Sequence, residues 1–145
     1  MNTRIGVTLR LTVILAVILT PATISTISTI TVPAYAAEIA ADVTLGSTSK
    51  TTDAFSPNPI EVNVGDTVTW TNRDSVPHTV TSGVSPQPDG RFDSSPNFNP
   101  LLAPGATFSH TFTEAGEYPY FCALHPNAVG TVIVTAGGNQ TAGGG

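Results

Sequence analysis

Methionine occurs once in the 145 residues, at Met1, and cysteine once, at Cys122. A single cysteine cannot close a bridge within the chain, so no disulfide framework holds this fold. With methionine confined to the first position, no thioether is available further along. Histidine occurs three times, at His78, His110 and His125, too few for a histidine-rich multinuclear centre. Only five residues are basic and none follows Arg91. This excludes the positive surface that nucleic acid requires. Sustained helical periodicity is missing after Ala37, which argues against a helical bundle.

What is present begins with a targeting pattern. Arg4 and Arg10 form a basic start, Val13 to Leu19 is an unbroken apolar run, and Ala34-Tyr35-Ala36 fits a small-x-small cleavage site. The expectation is a signal peptide over 1–36 and an exported protein, periplasmic, extracellular or at the cell surface. Because Leu11 to Ala37 carries no charge, an uncleaved membrane anchor is the alternative. Pro21 and the Ser/Thr-rich stretch Thr20 to Thr31 weaken it. Residues 37–135 then form one domain, and 136–145 a Gly-rich flexible tail with a lone sequon at Asn139-Gln140-Thr141. After Ala36 the basic residues are Lys50, Arg73 and Arg91, against all ten acidic residues. That balance serves solubility or a basic partner.

Period-two alternation runs through the rest. Ile60, Val62 and Val64 alternate with Glu61 and Asn63, Gly65-Asp66 signals a turn, and Val68 and Trp70 alternate with threonines. Further strands are expected at Ile39 to Leu45, His78 to Thr81, Phe108 to Phe112, Glu117 to Phe121 and Val129 to Val134. Gly83 to Gly105, with five prolines, reads as a long loop holding at most a short strand near Arg91-Phe92-Asp93. The fold class is an all-β Greek-key sandwich of about seven or eight strands.

The lone thiol carries the chemistry. An unpaired cysteine in an exported chain is open to oxidation unless something occupies it, and a metal is the natural occupant. Cys122-x-x-His125 places a thiolate and an imidazole in one tight segment, and His78 follows Pro77 at a strand start. Two imidazoles and one thiolate suit copper or zinc, and a trigonal set of this kind is that of a mononuclear type 1 copper site. A dinuclear copper centre would need two cysteines. A Cys–His hydrolase would need an oxyanion loop, and none is evident. His110 alternates with Phe108 and Phe112 on a strand, so its expected role is structural, as is that of Tyr118.

Several segments together resemble the cupredoxins, in particular the plastocyanin and amicyanin group. They are Asn63 to Asn72 with Pro77-His78, the hairpin Phe108 to Tyr118, the loop Cys122-x-x-His125-Pro126, and the closing strand Gly130 to Val134. The resemblance implies one copper, cycling between Cu(I) and Cu(II), held by His78, Cys122 and His125. It implies electron transfer between unidentified redox protein partners, with Leu124, Pro126 and Leu101 or Leu102 as a docking patch. In amicyanin-like loops the third residue after the histidine is an axial methionine; here it is Ala128. The axial position is then left to water, a backbone carbonyl such as that of Pro77, the amide of Asn127, or nothing. An open face is the favoured reading. It carries a second functional reading, a copper redox enzyme or sensor for a small molecule, for example one oxidising nitric oxide to nitrite.

Overall fold

The computed structural model describes residues 35–137. The targeting pattern up to residue 34 and the sequon at Asn139 lie outside them. Among the described residues nine strands form two sheets. They are β1 (Glu38–Val43), β2 (Phe55–Ser56), β3 (Ile60–Asn63), β4 (Thr67–Asn72), β5 (Thr81–Val84), β6 (Gln87–Asp93), β7 (Thr107–Thr111), β8 (Gly116–Cys122) and β9 (His125–Thr135). One sheet has the order β2-β1-β4-β7 and the other β3-β9-β8-β5-β6. The pairs β1/β4 and β3/β9 are parallel, the remainder antiparallel. Among the described residues no helix is long and apolar enough to cross a membrane.

The all-β sandwich is the fold that alternation implied. Val68, Trp70 and Asn72 point inward from β4, and Ile60 and Val62 from β3. Facing residues of the two sheets fill the space between them, as in any sandwich. Trp70 is its centre, stacked on Phe92 and Phe108 at ring separations of 5.8 and 5.9 Å and meeting Tyr120 edge-on at 5.4 Å. Gly130 on β9 permits that arrangement. A Cβ there would come within 2.4 Å of the Tyr120 ring.

Three expectations change. Gly83 to Gly105 is not a continuous loop, because β5 and β6 form a hairpin across Ser85-Pro86 with Val84 opposite Gln87. β6 is an edge strand, exposed along most of its length, so it lacks the alternating signal and tolerates Pro88. Ser82 holds it, its hydroxyl accepting the Phe92 N–H at 2.8 Å. The strand expected over His78 to Thr81 starts at Thr81; His78 makes only an isolated bridge with Leu102. The last strand begins at His125 rather than Val129, since Cys122 and His125 pair across a two-residue turn. The two-residue β2 is the one strand beyond eight.

Candidate metal centre

His78 reaches the site on a loop that Asn72 organises. The buried Asn72 amide donates to the carbonyls of Val76 and Leu102 at 2.8 and 2.9 Å, and its side-chain oxygen accepts the Asp74 N–H at 2.9 Å. Two backbone hydrogen bonds, of 3.1 and 3.0 Å, then join His78 to Leu102. Leu102 is spent on this role and is 5% exposed. It cannot belong to a docking surface, so of the two leucines only the half-buried Leu101 remains for one.

Cys122 comes from the end of β8 and His125 from the start of β9. Regular pairing runs from Gly116↔Val134 to Phe121↔Val129 and then breaks, leaving Pro126, Asn127 and Ala128 as a bulge beyond the Cys122↔His125 pair. A bulge re-aims side chains at the rim of a sheet. Thr79 ties this turn to the His78 loop: its hydroxyl accepts the Ala123 N–H at 2.8 Å and its own N–H points at Cys122 Sγ at 3.3 Å.

The three expected residues therefore converge. His78 Nδ1 lies 3.5 Å and His125 Nδ1 3.6 Å from Cys122 Sγ, and the three donor atoms lie within 4.8 Å of one another. A nitrogen and a sulfur bound to one ion at about 2.0 and 2.3 Å, at trigonal to tetrahedral angles, stand about 3.5–3.7 Å apart. The spacing fits a shared ion. The donor set is soft to intermediate and holds no carboxylate, which disfavours calcium and magnesium. Cys122 and His78 are fully buried, whereas His125 is half-buried and gives the centre its one side toward solvent.

The protonation states also suit a metal. Burial alone would push the Cys122 thiol up, but hydrogen bonds from His78, the Thr79 N–H, His125 and the Leu124 N–H outweigh it. The pKa falls from 9.0 to about 6. The ligand that must lose a proton has thus largely lost it at neutral pH.

Sequence reasoning missed the groups behind His78. Its Nε2 lies 2.9 Å from Asp74 Oδ2 and 3.0 Å from Ser47 Oγ. A carboxylate cannot donate, so Nε2 carries a proton toward Asp74, and Nδ1 is the nitrogen that faces the sulfur and is able to bind a metal once it holds no proton of its own. Such a partner fixes the tautomer and orientation of a ligating histidine. Burial works to raise the Asp74 pKa, yet hydrogen bonds from the Gly46 N–H, His78, the Ser75 N–H and Ser47 hold it well below the usual carboxylate range. The His78 pKa is shifted upward. Burial opposes that shift, and the contacts with Cys122 and Asp74 prevail. The spacing Asp74-x-x-x-His78 is visible in the sequence but carries no signal alone, and Ser47 lies 31 residues away.

His110 stays apart from this group. Its ring lies 4.8 Å from Phe92 and 4.9 Å from Phe112, at the rim of the aromatic core, and burial lowers its pKa. Tyr118 is buried too, its hydroxyl donating to the Glu114 carbonyl at 2.9 Å. Among the described residues, the group of His78, Cys122 and His125 is the one set of three or more such side chains placed to share a metal.

Residues 41–135 match the family of copper binding proteins described as plastocyanin/azurin. Similar proteins include a chloroplastic plastocyanin of Tetradesmus obliquus, 40% identical over 66% of this chain and 67% of that one. An amicyanin of Paracoccus denitrificans is also 40% identical, over 52% of this chain and 53% of its own length. Among solved structures, a purple cupredoxin from Nitrosopumilus maritimus is 39% identical and superimposes with a TM-score of 0.59, covering 67% of this chain and 99% of that chain.

Proposed function

The chain belongs to the plastocyanin/azurin family of copper binding proteins, and from that premise we propose that it carries single electrons through one copper held by His78, Cys122 and His125. The observation that carries this reading is the aim of both Nδ1 atoms at one buried, low-pKa sulfur. When bound, copper supplies a one-electron couple between Cu(I) and Cu(II) and a covalent link to the thiolate. The chain supplies the rest. Asp74 holds the His78 proton at Nε2, Thr79 and Ala123 lock the two ligand segments together, and burial keeps water from Cys122. Ligands held on a rigid β frame move little between oxidation states.

Half-buried His125 is the contact through which an electron reaches a partner. Leu124, 39% exposed, and the exposed Pro126 border it and form an apolar docking surface for a redox protein. The protein works outside the cytoplasmic membrane, after cleavage behind Ala36. In support, the charge-free stretch Leu11 to Ala37 ends at a small-x-small site, and a lone thiol is retained in a chain with a targeting pattern.

The test is absorption of the oxidised, copper-loaded protein. An intense thiolate-to-copper band is expected in the visible, with one reversible one-electron wave in voltammetry. Cys122→Ala should remove the band entirely. A folded Cys122→Ala variant that keeps the colour rules out this ligand set.

A second reading rests on Ala128. It is fully buried in the bulge beside the ligands, and the only methionine of the chain is Met1. Alanine is too short to coordinate, so this position supplies no fourth donor and leaves that place to a small ligand. In that case copper held by His78, Cys122 and His125 would supply the one-electron oxidant that conversion of nitric oxide and water to nitrite and two protons requires. Spectra taken with and without nitric oxide or nitrite separate the readings. An unchanged spectrum leaves the electron carrier alone.

A further inference from the structure

Asp66 is a nearly buried carboxylate, 5% exposed, in the turn that leads into β4. Its Oδ2 accepts the Asn63 N–H at 2.8 Å and its Oδ1 the Ala37 N–H at 2.7 Å. Among the described residues, no Lys, Arg or His side chain forms an ion pair with it. A carboxylate taken out of water is costly without an opposite charge or a full set of donors.

Ala37 is where the sheet begins. Its carbonyl accepts the Thr67 N–H at 2.9 Å, and from Glu38 onward β1 runs beside β4. Among the described residues, no hydrogen bond ties Tyr35 or Ala36 to the domain, and Tyr35 is 87% exposed. The sequence Ala34-Tyr35-Ala36 marks this same junction for cleavage. A processing signal and a buried acid 29 residues downstream thus meet at one nitrogen.

We propose that Asp66 is a receptor for the α-ammonium group released when the chain is cut between Ala36 and Ala37. Hydrolysis adds water across that amide bond. The departing segment ends in the Ala36 carboxylate, and Ala37 acquires an amine that is protonated near neutral pH. The nitrogen that donated one hydrogen bond as an amide then donates as a cation, to an acid 2.7 Å away. The bond was already charge-assisted at the carboxylate, and the cut adds the Coulomb attraction of a second, opposite charge. Ala37 is exposed, so the other ammonium hydrogens stay in water and the amine loses little hydration. The cut chain is therefore more stable than the uncut one, and a cut elsewhere puts the amine out of register with Asp66. This rests on the export reading, which supplies the cleavage.

The experiment compares urea unfolding of two purified forms near neutral pH. One begins at Ala37 with a free amine; the other retains Tyr35 and Ala36. The unfolding constant of the first should be smaller by about fivefold. Acetylating the Ala37 amine should erase the difference, as should Asp66→Asn; acetylation keeps the test open if that variant folds poorly. Intact mass of the protein exported by living cells should begin at Ala37. If it does, but the two forms unfold alike, the receptor is wrong and export stands. If the native protein keeps residues 1–36, cleavage and the receptor fall together and the segment is an anchor.

Discussion

The strand β4 runs between two aspartates that are both 5% exposed and are held in opposite ways. At its far end Asp74 receives five hydrogen bonds, from the Gly46, Ser47 and Ser75 N–H groups, the Ser47 hydroxyl and the His78 ring. At its near end Asp66 receives two, both from backbone N–H groups. The same residue type at the same burial does different work because of what the fold brings to it. Asp74 orients the His78 imidazole, whose other nitrogen faces Cys122. Asp66 faces the start of the domain, where a positive charge arises only if the chain is cut.

The largest expected effect tests that division. Asp74→Asn turns one acceptor into a donor among five donors, so at least one buried N–H loses its partner. We expect a loss of about 2 kcal/mol in stability and, with His78 no longer held, about 10- to 100-fold weaker copper binding. Asp66→Asn should leave copper affinity and the visible spectrum unchanged. Equilibrium dialysis of the two variants checks this. Equal weakening in both would erase the distinction between the two ends.

The next effect concerns the thiol that the His78 end serves. In the metal-free protein, the thiolate absorbance near 240 nm should titrate with a midpoint near 6 rather than 9.0. The depressed pKa adds stability that is complete above 9.0 and is lost as pH falls through about 6. The raised His78 pKa acts with the opposite sign: its contribution is complete below 6.5 and is lost as pH rises through the shifted value. His78→Ala should move the thiol midpoint upward. An unmoved midpoint would show that His78 does not set the charge of Cys122.

Ala128→Met brings a thioether to the bulge beside the ligands. It should lower the reduction potential, shift the visible bands and suppress any response to nitric oxide. If voltammetry and absorption do not change, Ala128 does not face the metal. The smallest effect is expected midway along β4, where His110 pairs with Val68. His110→Phe should preserve the spectrum, because the ring only packs against Phe92 and Phe112. Loss of the band in a folded His110→Phe protein would overturn that assignment.

Strands with one wet face were legible. Val68, Trp70 and their threonine neighbours spell out β4, and β3 is equally plain. β6 was not, because an edge strand that buries little needs no alternation. The start of β9 was hidden for a related reason: His125 and Pro126 enter the sheet through a bulge, where period two fails. The three donor residues were legible because a soft thiolate, two imidazoles and one short spacing suffice to suggest a metal. Ser47 and Asp74 were not, since neither carries a motif, and Leu102 looked like surface until its backbone proved to brace His78.

By itself the sequence determined the sandwich, three candidate metal donors and the lack of any methionine beyond Met1. Those properties depend on residue type and on periods of two, both of which are local. The tertiary structure decided which acids are buried and whom they face. Burial of Asp66 and Asp74 depends on chain segments 29 and 27 residues away that close over them. The low pKa of Asp74 follows from that long-range closure, because a carboxylate's state depends on the donors around it.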